Sequence, residues 1–371
     1  MKLGEIISKA KVTKCKDKDL PVLSITLRDG FVLQSSHFKK EIASKDKSKY
    51  NVVKKNQLVQ SIHIDEGGFS VQYIVDEGIV SPAYRIWDVD ISLVNPVYLN
   101  TFLRSKPSIA YYKSKLRGTI HRRGKIDDSD ILGMEIPVPP LSEQERIVAA
   151  LNLLQGIIDK QKAQLKELDT LAQSIFYSFF GDILEAKLTK TLKDVAKYNI
   201  GLTYKPTDVS DKGIIVLRSS NIQENRLDFK DIVRVNAPID KKKMVEVGDI
   251  LMCVRNGSAS LVGKVARICN LTEEMSFGAF MTIIRSDFND FLFHFFLSPY
   301  FRRQLSSAKT ATINQITTKM LDGIQLNVPS IEKQQVFADK IKAIESQKFL
   351  INQSIAETQK LFDYTMDKYF G

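Results

Sequence analysis

A chain of 371 residues is long enough for two or three domains, each with its own core. With 43% hydrophobic and 26% charged residues it is ordinary for a folded globular protein, which excludes general disorder, and a net charge of +11 suggests a polyanion partner, most simply nucleic acid. No apolar run approaches the ~18 residues of a membrane helix, the N-terminus shows no signal-peptide core, and three cysteines without a CxxC pair (Cys15, Cys253, Cys269) fit a reducing cytoplasm.

Residues 1–133 carry 23 Lys+Arg against 15 Asp+Glu. FSVQYIV at 69–75 and YRIWDVD at 84–90 alternate with Gly and Asp turns and predict strands, and a helical stretch follows near Val97 to Leu103. Residues 134–181 open with Pro137, Pro139 and Pro140, which forbid helix, and then offer Ser142 with Glu145 three places on as a capping box. Hydrophobic residues follow at Ile147, Leu151, Leu154, Ile158, Leu165, Leu168, Ala172, Ile175 and Phe179, with Gln161 as the one polar position of the seam. Those alternating steps of four and three predict one helix of about 38 residues with a coiled-coil heptad, stopped by Gly181.

Residues 182–330 carry 21 Lys+Arg against 16 Asp+Glu, so the positive charge sits in the two long segments. IIVLRSS at 214–220 and VGDILMCV at 247–254 predict strands, and Phe288 to Leu297 a helix. This segment begins as the first does, TLKDVA against KLGEII, and ends as it does, ATIN against GTIH. Between those points the two diverge, as expected of one fold carrying two different surfaces. Each is read as a mixed α/β domain with a curved, mostly antiparallel sheet.

Residues 331–371 then repeat the first helix. PVPPLSEQERIVAAL at 137–151 and NVPSIEKQQVFADKI at 327–341 stand 190 positions apart, and the register holds to the endings Phe179-Phe180-Gly181 and Tyr369-Phe370-Gly371. The second seam reads Phe337, Ile341, Ile344, Ile351, Ile355, Phe362 and Tyr369, diluted by Lys348, Thr358 and Thr365, with Ser330 offered as the cap. A narrow apolar stripe must be buried against something. Either the two helices pair with each other, antiparallel, or each packs on its own domain; the strict 3.5-residue spacing favours the coiled coil.

Two variable domains, each followed by a long helix with a Pro-rich lead and a Glu-Gln pair (IPVPPLSEQERI), resemble the specificity subunit of type I restriction–modification systems, over the whole chain. VSPAY at 80–84, GLTY at 201–204, VGDIL at 247–251 and RNGSASLVGK at 255–264 add to the resemblance. It implies an α+β fold of two mixed α/β target-recognition domains (1–133 and 182–330) in a pseudo-twofold arrangement. Two long helices (134–181 and 331–371) would separate them as an antiparallel coiled coil. It implies a cytoplasmic, non-catalytic subunit without a cofactor of its own, each domain reading one half of a split sequence in double-stranded DNA. The implied partners are two modification subunits, which methylate adenine at N6 with S-adenosylmethionine, and restriction subunits, which translocate and cut DNA with ATP and magnesium. The competing reading is a coiled-coil scaffold joining two protein-binding domains, against which the distribution of positive charge argues.

Residues suited to touching DNA are polar side chains at strand ends and turns. In the second domain these are Tyr204, Lys205, Arg218, Ser219, Asn221, Arg255, Asn256, Ser258 and Lys264; arginine can pair with guanine and asparagine with adenine in the major groove. Thr119, His121, Arg122 and Arg123 match Thr312, Asn314 and Gln315 near the domain ends, and Ser81, Tyr84, Lys39 and Lys40 complete the set in the first domain. A solvated turn, or for the tyrosines plain packing, accounts for the same residues. Catalytic readings fail on spacing. GSASLVGK at 257–264 has five residues between its glycines and Val265 where a phosphate loop needs Ser or Thr, the four histidines lack metal-ligand spacing, and VPPL lacks the flanks of an adenine-methyltransferase motif.

Overall fold

The computed structural model describes residues 1–26, 30–37, 44, 46–62, 68–116, 126–307 and 314–371. The chain forms two compact units, one of Met1–Lys162 with Asn352–Gly371, the other of Ala163–Ile351.

In the first unit a four-stranded antiparallel sheet is ordered Ile7–Lys9, Arg85–Val89, Leu58–Gln60, Phe69–Val71. In the second the corresponding sheet is ordered Lys197–Ile200, Met281–Arg285, Ile250–Cys253, Val265–Arg267. In both, the first strand of the sheet in chain order pairs with the last, which in turn pairs with the hairpin formed by the other two. The same order built twice explains why the two segments begin and end alike. The agreement extends to a short helix before each long one, Asp128–Leu132 and Thr318–Asp322, each ending on a glycine, Gly133 and Gly323.

The sheets are smaller and more numerous than one curved sheet per domain. Two further hairpins join the first unit, Leu23–Thr26 with Gly30–Leu33 and Asn51–Lys54 with Glu77–Val80. A three-stranded sheet joins the second, where residues 215–217 run parallel to Met275–Phe277. FSVQYIV yields only the strand Phe69–Val71, because the Gln72 amide accepts from the N–H of Ile74 and Val75 and donates to the Val75 carbonyl, turning the chain. Such a local side-chain turn is invisible to β propensity.

The long helices are Leu141–Glu185 and Ile331–Phe370. Within the first unit Gln161 donates to Ser354 (2.7 Å) and Arg146 to the Tyr369 hydroxyl (3.4 Å), so low numbers of one helix meet high numbers of the other and the pairing is antiparallel. Within the second unit Asp169 pairs with Lys348, and Phe180 packs on Phe337 with ring centroids 4.9 Å apart, again antiparallel. Each unit also draws the helices into its globular core. Ile147, Leu151 and Phe370 join Leu58, Trp87 and Tyr98 in one, and Ala172, Phe176, Phe180 and Phe337 join Ile284, Phe291 and Phe295 in the other. Coiled-coil pairing and packing on the domain are therefore both present.

Three details of the helix reading are corrected. Gly181 does not stop the first helix, which continues to Glu185 and buries Leu184 in the second core. Ser142 lies inside the helix, and the Pro140 carbonyl, not the Ser142 side chain, accepts the N–H groups of Glu143 and Gln144. The strict heptad also fails past Leu168: the fully buried positions become Ala172, Phe176, Phe180 and Leu184, in steps of four, while Ile175 and Phe179 are only half-buried. A two-helix seam repeats every 3.5 residues, whereas this stretch is surrounded by the globular core, and a broad face at steps of four suits it. Of the other seam positions, Ile147, Leu151, Ile158, Phe337, Ile341 and Ile344 are buried, and Leu154, Leu165, Leu168, Ile351, Ile355 and Phe362 are half-buried.

Candidate nucleic-acid interface

In the second unit five turns meet at the ends of the sheet strands. Gly201 ends the first strand against residues 277 and 278; a Cβ there would lie 2.2 Å from the Gly278 carbonyl oxygen, so only glycine fits. The Gly278 N–H donates to Leu217 (2.9 Å), which brings in the turn at 218–221. Phe280 in the next turn accepts, through its carbonyl, the N–H groups of Val254 (2.9 Å) and Arg255 (3.2 Å). Arg255 and Gln315 form an isolated antiparallel bridge, and Asn314 donates from its amide to the Gly257 carbonyl (2.9 Å).

The Asn256 amide donates to Ser219 Oγ (2.8 Å), and its oxygen accepts the Ser258 N–H (3.0 Å). These bonds tie the 255–258 turn to the 218–221 turn. Arg255, Ser258 and Asn314 are exposed, and Asn256, Ser219 and Gln315 half-exposed, so polar groups of both kinds face outward on a framework of backbone bonds. Beneath them Cys253 is buried and its thiol is pushed up by that burial, which keeps the sulfur neutral.

Other predicted residues turn inward. Asn221 is 1% exposed: its oxygen accepts the Arg218 N–H, and its amide donates to the carbonyls of Asp228 and Asp231. Lys264 donates to the Ile222 carbonyl (2.8 Å), and Arg218 pairs with Asp231 (2.7 Å). Tyr204 packs half-buried on Leu202, Val216 and Val235, while Lys205 stays exposed. In the first unit Ser81 accepts the Ala83 N–H, and Tyr84 packs on the core that holds Val59 and Ile86, burial raising its hydroxyl pKa. Lys39, Lys40, Thr119, His121, Arg122, Arg123 and Thr312 lie outside the described residues.

Two residues have roles that the sequence did not reveal. Gln144, the Gln of the Glu-Gln pair, is 0% exposed and bonds the Asn95 N–H and the carbonyls of Leu93 and Pro139, locking the start of the first helix to its domain. Its repeat partner Gln334 donates to Pro329 in the same way. Phe280 is 55% exposed beside Arg255, although GAFMTIIR reads as an ordinary strand entry and carries no signal of exposure.

Comparison with known proteins agrees with this architecture. Residues 185–360 match the family model of the type I restriction modification DNA specificity domain. The specificity subunit of type I restriction enzyme EcoKI from Escherichia coli (strain K12) is 32% identical over 156 residues, 40% of this chain and 33% of that protein. The MjaVIII specificity subunit of Methanocaldococcus jannaschii is 24% identical over 298 residues, 74% of this chain and 69% of that protein. The chain thus aligns with about a third of the length of the first two curated relatives, 33% and 38%. Two solved structures share the fold over 100% of this chain. One comes from a study of assembly and conformational transition of the type I R-M system (96% of that chain, 20% identity, TM-score 0.56), and the other is the S subunit from M. genitalium (95%, 12%, 0.52). Over residues 185–360 the chain thus resembles the specificity domain of type I restriction–modification systems, and over its whole length it shares the fold of solved subunits of such systems.

Proposed function

We propose that the chain is the DNA sequence-specificity subunit of a type I restriction–modification enzyme, each globular unit reading one half of a bipartite target in double-stranded DNA. The observation that carries this reading is the same strand order built twice with unlike loops at its ends. One scaffold repeated with two surfaces suits two different half-sites. The excess of lysine and arginine in both long segments supplies phosphate contacts, which set register, while the outward polar groups around Arg255 and Asn256 supply contacts to base edges.

In this reading the chain performs no chemistry and holds no cofactor. Two modification subunits would bring S-adenosylmethionine and methylate adenine at N6, and restriction subunits would use ATP and magnesium. The paired helices set the gap between half-sites and dock the modification subunits. Exposed apolar side chains on them, Leu153, Leu361 and Tyr364 in the first unit and Leu171, Phe349 and Leu350 in the second, support that docking role. No helix among the described residues is long and apolar enough to cross a membrane, and the enzyme would act in the cytoplasm.

Methylome sequencing of cells that express the chain with its modification subunit tests the proposal. The expected result is one split motif with a fixed gap, methylated only when this chain is present. A methylation pattern indifferent to the chain would overturn it.

A further inference from the structure

We infer that Arg255 is the side chain with which the second unit reads a guanine, and that Phe280 is the positioning residue that holds it; both assignments rest on the DNA-reading function proposed above. The first observation is how the unit spends its arginines. Arg218, Arg226, Arg234, Arg267 and Arg285 each face a carboxylate, and Arg302 donates to the carbonyls of Val262 and Gly263. Arg303 lies over Tyr300, whose hydroxyl donates to Glu185 at the end of the first long helix. Among the arginines of the unit's described residues, Arg255 alone combines exposure, no ion pair and a place in the cluster of turns.

The second observation is the ring beneath it. The Arg255 guanidinium carbon lies over the Phe280 ring, 5.2 Å from its centroid, and the ring is itself 55% exposed. A guanidinium stacked on an aromatic engages its flat face, which leaves the N–H donors at its edge free. Those edge donors match O6 and N7 of guanine in a bidentate pair. An ion pair would consume the same donors, whereas contact with the face of a ring restrains the side chain without consuming them. The Phe280 carbonyl also holds the N–H groups of Val254 and Arg255, so ring and guanidinium emerge from neighbouring, mutually fixed positions. Restraining a long side chain before binding lowers the entropy lost on contact.

The test is selection of bound sequences from randomised duplexes with the full chain, read by sequencing, for wild type and four variants. Arg255→Ala should lower the preference for guanine at one position of one half-site by roughly 5- to 150-fold. Arg255→Lys should not restore it, because an ammonium lacks the fork. Phe280→Leu should weaken the same position, whereas Phe280→Tyr, which keeps the ring, should retain it. The half-site read by the other unit serves as the internal control for folding and should stay unchanged. Unaltered preference at every position in Arg255→Ala, or uniform weakening of the whole half-site in Phe280→Leu, would overturn the inference while leaving the DNA-reading function intact. If the wild-type chain enriches no motif at all, the DNA-reading function fails and this assignment with it.

Discussion

Among single residues, His294 is the clearest case of a side chain whose chemistry is set by its surroundings. It interrupts the apolar run FLFHFFL, yet it is buried between Phe176 and Phe337, and the Gln173 amide donates to its Nδ1 at 3.3 Å. Burial first, then the positive charges of Lys348 and Arg267, push its pKa down to about 3. An unfolded histidine titrates near pH 6.5. Between the two values the unfolded chain binds a proton that the folded chain refuses, so stability falls as pH drops from about 6.5 toward 3. At pH 5 this group should cost about 2 kcal/mol relative to pH 7.5. Denaturant unfolding of wild type and His294→Gln at both pH values checks it: the variant should show a correspondingly smaller loss, and an equal loss would mean that the imidazole titrates normally.

At the scale of elements, the first long helix shows what packing tolerates. Glycine within a helix costs about 0.5 to 1 kcal/mol against alanine. Gly181 is kept within the helix because the turn beyond it buries Leu184, and a Cβ built on it meets nothing within 4 Å. Gly181→Ala should therefore raise stability by roughly 0.5 to 1 kcal/mol, seen as a higher Tm with the fold unchanged. A lower Tm would show that the helix needs its glycine. The seam of the second helix carries the opposite device. Lys348, which the heptad marks as a dilution, is 4% exposed and reaches Asp169 on the facing helix and Glu345 on its own. Such a pair adds little net stability, but it penalises any register that strands the ammonium without its carboxylates.

At the scale of the molecule, duplication makes specificity modular. If each unit reads its own half-site, replacing residues 187–325 by the equivalent segment of a relative should change one half of the methylated motif, leaving the other half and the gap as they were. Methylome sequencing reads all three parameters at once, and a change in both halves would reject independent reading. On the same proposal the basic excess of both segments would supply phosphate contacts in each, so a unit with exchanged loops should keep a steep loss of affinity with salt.

The amino-acid sequence by itself determined the duplication, the two long helices, the class of each globular segment and the resemblance to type I specificity subunits. These depend on local periodicity, proline punctuation and a register of 190 residues, all written along the chain. Only the tertiary structure decided which polar side chains are free. Asn221, Lys264 and Arg218 look as available in sequence as Arg255, yet all three are engaged by carbonyls or a carboxylate brought in from residues 7 to 42 positions away. Phe280 looks like core and stands outside it. The reason is physical: helical and strand patterns arise from neighbours in the chain, but whether a donor is satisfied or an aromatic ring covered depends on neighbours in space.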